Sequence, residues 1–280
     1  MNQHALDPHG HSAEHDAHVM NSPWPPVASI GAMVMFFSFV AFFAGKAPLA
    51  WPMLAVGVVL TLVGSIGWWV SLVKEQLPGP PPVGMPGQQI DFKLGWILFI
   101  ASETMFFAAF FGFLFYTRFR ATTWPPEGVP LPIHDLTLPA IMTVLLVTSG
   151  LTYTFAEWSL MAKKRGGMIV GLALTVLLGV IFLGIQYYEW THSALKITDG
   201  LLGSGFFMLT GFHGIHVIIG VAFIAVNLFR ALKGHFTPER HFAMQGAGWY
   251  WHFVDVVWII LLVVLYLPLV GGTGGAGAGH

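Results

Sequence analysis

The sequence predicts an all-α membrane protein with seven transmembrane helices, and its composition and charge spacing carry this prediction. Of the 280 residues, 55% are hydrophobic and only 9% are charged, whereas soluble domains carry about 25% charged residues. No Asp, Glu, Lys or Arg lies between Asp16 and Lys46, or between Lys46 and Lys74. Since about 20 apolar helical residues cross the ~30 Å hydrocarbon layer, both stretches are long enough to span a membrane.

The apolar runs have the pattern of helices rather than of barrel strands. A transmembrane barrel needs segments of about ten residues with alternating polarity, and runs such as MVMFFSFVAFF do not alternate. A helix also satisfies all of its backbone groups within one segment, as the hydrocarbon requires. We therefore predict seven helical spans, at residues 27–45, 51–73, 94–116, 138–161, 168–188, 201–228 and 249–270.

Proline and glycine divide these spans into two groups. The stretch PGPPPVGMPG follows the second span, and such a composition disfavours a helix and favours an extended linker. The predicted segments are a polar, histidine-rich tail (1–23), a two-helix bundle (24–73), a Pro/Gly-rich linker (74–93), a five-helix bundle (94–270) and a glycine-rich tail (271–280).

The basic residues in the loops predict the orientation. Eight lie on the side of the N-terminus, namely Lys74, Lys93, Lys163, Lys164, Arg165, Arg230, Lys233 and Arg240. Four lie on the other side, namely Lys46, Arg118, Arg120 and Lys196. Because Lys and Arg are enriched in cytoplasmic loops, we expect the N-terminus inside and the C-terminus outside.

Charge and cysteine content narrow the functional classes. The net charge is −1 with histidine neutral, so the chain has no excess of positive charge that would favour nucleic acid as a partner. The chain has no cysteine, which excludes disulfides, thiolate metal sites and thiol chemistry.

Ionisable side chains within the spans are the candidate functional residues, because charged groups at membrane depth are costly. Glu103 is the only charged residue between Lys93 and Arg118. Burial there favours the neutral acid, and three interpretations remain open: a hydrogen bond to a neighbouring helix, a proton or ion role, and contact with lipid or another subunit.

Two histidine-containing motifs occur in the last two spans. His213 and His216 share one helix face, and His252 and Asp255 have the same spacing of three. Together they could ligate a metal or a haem, although interhelical hydrogen bonding explains the same pattern. Glu157 and Glu189 lie near span ends, where we expect them to reach the interface.

Three long stretches resemble the cytochrome c oxidase subunit III family. They are GWILFIASETMFFAAFFGFLFY around Glu103, ITDGLLGSGFFMLTGFHGIHVIIG around His216 and HFAMQGAGWYWHFVDVVWIILLVVLY around His252. Shorter matches are the Trp68–Trp69 pair, SGLTYTFAEWSLM and QYYEW. They occur in the family's order, and the resemblance covers residues 23–267.

The resemblance implies a fold in which a lipid-filled cleft separates two helices from five. It implies that no catalytic residue or metal belongs to this chain and that haem and copper sit in subunits I and II. Glu103 matches the family's buried, carbodiimide-reactive carboxyl, and Glu157, Glu189, His213, His252 and Asp255 are then polar packing residues. Positions matching the family's lipid-binding residues are Trp69, Lys74, Glu75, His216 and Arg230. Val70 departs from the arginine of mitochondrial members, which makes Lys74 the expected headgroup partner.

The expected function is that of a supporting subunit in an oxidase that oxidises cytochrome c, reduces oxygen to water and pumps protons. Its expected partners are subunits I and II, phospholipids and a respiratory supercomplex. Its expected location is a bacterial inner membrane, with the mitochondrial inner membrane as the alternative. Two alternatives are a quinol oxidase subunit, whose shorter relatives lack the first two spans, and an independent transporter that uses Glu103.

Overall fold

A computed structural model of the chain describes residues 22–76, 86–124, 126, 128–130, 136–239 and 241–271. Every regular element in this part of the chain is a helix. The helices are α1 (Trp24–Phe43), α2 (Ala47–Gln76), α3 (Pro86–Arg120), α4 (Thr137–Met161), α5 (Arg165–His192), α6 (Gly200–Leu232) and α7 (Phe242–Leu261). A π-helical turn, Leu262–Tyr266, joins α7 to the short helix α8 (Leu267–Gly271).

The prediction of an all-α protein with seven transmembrane spans is confirmed. Seven helices of the described residues are long and apolar enough to cross a membrane. The last of them begins at Phe242, seven residues before the predicted start at 249. The stretch AMQGAG carries little hydrophobic signal, but its small residues lie against other helices, with Gly246 beside Trp96 and Gly248 beside Tyr153.

The helices also extend into the predicted linker. Helix α2 continues to Gln76, and α3 begins at Pro86. Proline is well tolerated in the first helical turn, because its missing N–H would have no helical acceptor there. Residues 1–21 of the predicted N-terminal tail and residues 272–280 of the C-terminal tail lie outside the described residues.

The chain divides into two compact units, residues 1–86 and 87–280. In the first unit, α1 and α2 approach closely through glycine. A Cβ at Gly64 would lie 2.4 Å from the backbone nitrogen of Ala28, so only glycine fits there. Small residues at such contacts let membrane helices gain packing energy along their length, and Ser38 adds a 2.8 Å hydrogen bond to the Ala50 carbonyl.

In the second unit, α4, α5, α6 and α7 form a ring in which each helix contacts its two neighbours. Two buried tryptophans of α7 fasten this ring to α4. Trp251 donates from Nε1 to Ser149 Oγ at 2.9 Å, and Trp258 donates to Thr143 Oγ1 at 2.9 Å. These bonds satisfy the indole N–H groups in an interior that offers no water.

Helix α3 packs outside this ring through large aromatic side chains. Trp96 donates from Nε1 to the Gly246 carbonyl at 2.8 Å, and Phe107 lies against Phe212 of α6 and Phe253 of α7. These contacts turn Glu103 of α3 toward α6.

Candidate functional site

Glu103 and His216 form a hydrogen-bonded pair between α3 and α6. Glu103 Oε2 lies 3.0 Å from His216 Nε2, and their side chains are 18% and 7% exposed. The other ring nitrogen, Nδ1, lies 2.8 Å from the Phe212 carbonyl oxygen. The sequence stretches around Glu103 and around His216 thus contribute to one site, and the spacing within either stretch could not have indicated this contact.

The Phe212 carbonyl determines how the pair can hold protons. A carbonyl oxygen only accepts, so His216 Nδ1 carries a hydrogen and donates it. A neutral His216 then has a bare Nε2 that accepts from the Glu103 acid, whereas a charged His216 donates from Nε2 to the carboxylate. These are the two states in which the 3.0 Å contact is a hydrogen bond, and each of them places one proton between the two side chains.

Aromatic rings surround His216 on its remaining sides. Its ring centroid lies 5.0 Å from Phe107, 4.6 Å from Phe212 and 6.2 Å from Tyr250. The neighbours of Glu103 on α3, Ser102 and Thr104, bond to the Phe99 and Ile100 carbonyls of their own helix. The pair therefore lies in mainly aromatic surroundings, where a hydrogen bond is stronger than in water.

Glu189 forms a second site, inside the five-helix unit. It is 3% exposed, and its Oε2 accepts from Gln186 Nε2 at 2.6 Å and from the Tyr266 hydroxyl at 2.9 Å. The expectation that Glu189 reaches the interface is wrong, because its helix phase points it inward. Buried positions recur along α5 at Gly179, Phe182, Gln186 and Glu189, a spacing of three and four that could have indicated its direction.

Tyr266 reaches Glu189 from the π-helical turn. The Leu267 N–H bonds to the Leu262 carbonyl, a five-residue step instead of the four-residue step of an α-helix. The extra residue changes the direction of every later side chain. Neither Gln186 nor Tyr266 was a candidate from the sequence.

His213 lies near this site but has no hydrogen bond to either ring nitrogen among the described residues. It is fully buried, with Phe182 at 5.9 Å and Trp258 at 5.4 Å between ring centroids. Among the described residues, no three His, Asp or Glu side chains converge as metal ligands.

A third site lies between α4 and α7. His252 Nδ1 is 3.4 Å from Asp255 Oδ2, and His252 Nε2 is 3.4 Å from Thr154 Oγ1. Glycines make room for the carboxyl groups. A Cβ at Gly150 would lie 2.5 Å from Asp255 Oδ2, and one at Gly248 would lie 2.9 Å from Glu157 Oε1.

The five lipid candidates are divided between the two units. Trp69 is exposed on α2 of the first unit, and the side chains of Lys74 and Glu75 lie outside the described residues. His216 and Arg230 belong to α6 of the second unit, where the Arg230 guanidinium lies 4.8 Å from the Phe236 ring centroid.

The sequence matches known proteins over most of its length. A family model described as cytochrome c oxidase subunit III matches residues 15–268. The chain is 40% identical over 264 residues to "Cytochrome c oxidase subunit 3" of Formosania lacustris, covering 90% of this chain and 98% of the relative. It is 40% identical over 261 residues to the rabbit (Oryctolagus cuniculus) protein of that name, covering 90% and 97%. The chain is 39% identical over 264 residues to the protein of that name from Squalus acanthias, covering 90% of this chain and 98% of the relative.

Proposed function

The chain belongs to the cytochrome c oxidase subunit III family, and from this premise we propose that it is the non-redox, supporting subunit of a proton-pumping oxidase. Membership makes it a multi-pass membrane subunit of an oxidoreductase complex that contains other oxidase subunits. In the proposed complex, cytochrome c supplies electrons and subunits I and II hold the haem and copper. The match over residues 15–268 carries this proposal.

The bonding of His216 supports a role without a redox centre in this chain. His216 uses both ring nitrogens in contacts with Glu103 and Phe212, which leaves neither nitrogen free to bind a metal. The test is metal and haem analysis of the complex before and after removal of this chain. Equal haem and copper per catalytic core is expected, and stoichiometric loss with the chain would contradict the proposal.

The supporting role should determine how long the oxidase stays active during turnover. We expect a core that lacks this chain to begin turnover at a near-normal rate and to lose activity several-fold sooner, with readdition of the chain restoring the lifetime. We also propose that this chain supports proton uptake by the oxidase, since a proton can be held between Glu103 and His216 at their 3.0 Å contact. An unchanged lifetime without the chain would count against the stabilising role.

The chain is also proposed to hold phospholipid through Trp69, Lys74, Glu75, His216 and Arg230. Exposed Trp69 and the cations Lys74 and Arg230 suit an acyl chain and a phosphate, respectively. His216 is 5% exposed and both of its ring nitrogens are engaged, so its proposed part is to pack beneath the lipid and not to bond to the headgroup.

Replacement of Lys74 and Arg230 together by alanine tests the lipid site. We expect less phospholipid in the purified oxidase than with the control pair Lys46→Ala and Arg118→Ala, which removes the same charge from the opposite side. Equal lipid content in the two variants would contradict the assignment.

The proposed location is a bacterial cell membrane, with association into a respiratory supercomplex. The eight-to-four distribution of Lys and Arg supports an inside N-terminus and an outside C-terminus. Reporter fusions at Ala5 and Gly277 should therefore report opposite sides. The same side at both positions would overturn this topology.

A further inference from the structure

The polar residues between α4 and α7 lie on the outward surface of the five-helix unit. This α4/α7 polar cluster consists of Thr154, Glu157, His252 and Asp255. The His252 side chain is 43% exposed and the Asp255 side chain 12% exposed, while Thr154 and Glu157 are partly exposed. Their immediate surroundings on the surface are apolar and include Leu151, Trp158 and Val256.

The cluster lies within the membrane-spanning segments. The spans Thr137–Met161 and Phe242–Leu269 contain all four residues. At 1.5 Å per residue, His252 lies about 15 Å and Asp255 about 20 Å along the helix axis from Phe242. Those depths place both side chains well inside the hydrocarbon layer of ~30 Å, where lipid tails offer no hydrogen bonds.

The hydrogen bonding of the cluster is incomplete within this chain. Both contacts of His252 are 3.4 Å long, beyond the usual 2.7–3.2 Å. Asp255 is 9% exposed, and its Oδ1 is buried without a partner among the described residues. The Glu103–His216 pair differs, because there the two side chains satisfy each other at 3.0 Å.

A surface cavity continues the cluster toward the start of α7. It has a volume of about 210 Å³ and is lined by Glu157, Trp158, Leu160, Met161, His241 and Gln245. Three of these six residues are polar or ionisable and Trp158 is 71% exposed. The cavity can therefore receive a side chain that is both bulky and polar.

We infer that the α4/α7 polar cluster is the docking surface for a transmembrane helix of a partner oxidase subunit that presents hydrogen-bond donors. Half-exposed ionisable groups are unfavourable against lipid tails, whereas polar side chains commonly join membrane helices. The Glu157 carboxyl is partly exposed and is an acceptor, so the matching partner group is a donor such as a hydroxyl, an amide or a cation. This inference rests on the proposed membership in an oxidase complex.

Site-specific photocross-linking in the assembled oxidase tests the inference. A photoreactive amino acid replaces Leu151 on α4 in one variant and Leu177 on α5 in the control. Both leucines lie near the middle of their helices, and they are 67% and 54% exposed. We expect the Leu151 variant to cross-link to a haem-containing partner subunit and the Leu177 variant to cross-link mainly to lipid. Equal yields, or cross-links from Leu151 only to lipid or to residues 22–76 of this chain, would overturn the inference.

A second pair of variants tests the hydrogen bonds themselves. Glu157→Leu should weaken retention of this chain by the catalytic core about tenfold in detergent, the effect of losing one interhelical hydrogen bond. Glu157→Gln keeps an acceptor and should retain the chain nearly as well. Equal retention by both variants contradicts the docking surface. A wild-type chain that never copurifies with haem subunits would instead contradict the proposed function.

Discussion

Two intramembrane carboxyl groups of this protein are held in opposite ways. Glu103 lies at the edge of the five-helix unit and faces a base, His216, at 3.0 Å. Glu189 lies inside that unit and accepts hydrogen bonds from an amide and a phenol, at 2.6 and 2.9 Å. One acid can exchange a proton with its partner, and the other is bound by two neutral donors.

The hydrogen-bonding partner of each carboxyl group determines its chemistry more than its depth in the protein does. His216 Nε2 faces Glu103 at 3.0 Å and can accept its proton, which would leave the two side chains as an ion pair. An ionised Glu189 would face no such cation, and an uncompensated buried charge is costly. Glu103 is therefore suited to reactivity and proton exchange, and Glu189 to joining α5 to the segment that follows α7.

Replacement of Glu189 should give the largest effect on stability. Glu189→Leu leaves the Tyr266 hydroxyl and the Gln186 amide without their acceptor, and two such losses in a buried site cost about 2–4 kcal/mol. Glu189→Gln retains a carbonyl oxygen that can accept both bonds and should cost much less. Thermal unfolding of the assembled oxidase in detergent measures both variants. Equal unfolding temperatures for Leu and Gln would show that the hydrogen bonds do not matter.

Chemical modification should separate the two acids clearly. A hydrophobic carbodiimide needs an acid that it can reach from the lipid, so we expect it to modify Glu103 and to leave Glu189 unmodified in the folded complex. Mass spectrometry of peptides from the treated oxidase gives the two yields. The Glu103→Gln variant is the control and should not react at that position. Equal modification of Glu189 would mean that its site opens readily.

Glu103→Gln should have a small effect on assembly and proton pumping. The glutamine amide can donate to His216 Nε2 in place of the acid, so the contact between α3 and α6 survives while the transferable proton is lost. Proton release per electron in reconstituted vesicles measures the outcome. If a fully assembled variant no longer pumps protons, the pair is a required relay and the packing interpretation fails.

We expect the smallest effect on stability from replacing Glu239, whose carboxyl group lies outside the membrane-spanning segments. The backbone N–H of Glu239 and the Thr237 hydroxyl bond to the Glu239 carboxylate and lower its pKa below the usual 4.5. A lowered pKa means that any stabilisation is present above pH 4.5 and is lost as the pH falls through the lowered value. Glu239→Gln should change the unfolding temperature slightly at pH 7 and not at all near pH 3. A larger effect at low pH would contradict this sign.

The sequence predicted the helices of this protein far better than their contacts. Spans such as α3 and α5 follow from hydropathy and charge spacing, because the membrane imposes length and composition on each segment alone. The Glu103–His216 contact depends on how α3 and α6 rotate toward each other over 113 residues of separation. Large side chains such as Trp96 and Phe107 determine that rotation, and their packing has no period in the sequence.

Glu189 shows a second reason why the contacts were harder to predict than the helices. Its position near the end of α5 suggested the interface, while its phase with Phe182 and Gln186 places it inside. Its partner Tyr266 depends on the π-helical turn, which regular helical periodicity does not predict. The identities of both candidate acids were therefore available from the sequence, but the bonds that distinguish them were not.

The π-helical turn also limits how the last helix can be exchanged between proteins. Residues 262–266 contain one more residue than a continuous α-helix needs, and each residue rotates the chain by about 100°. A chimera that supplies a straight α-helix of the same length after position 261 would carry every later side chain to a different face. Deletion of one residue from this turn would instead leave a continuous α-helix in which the later side chains keep their faces. Alignments used to design such chimeras should therefore place their single-residue gap at 262–266.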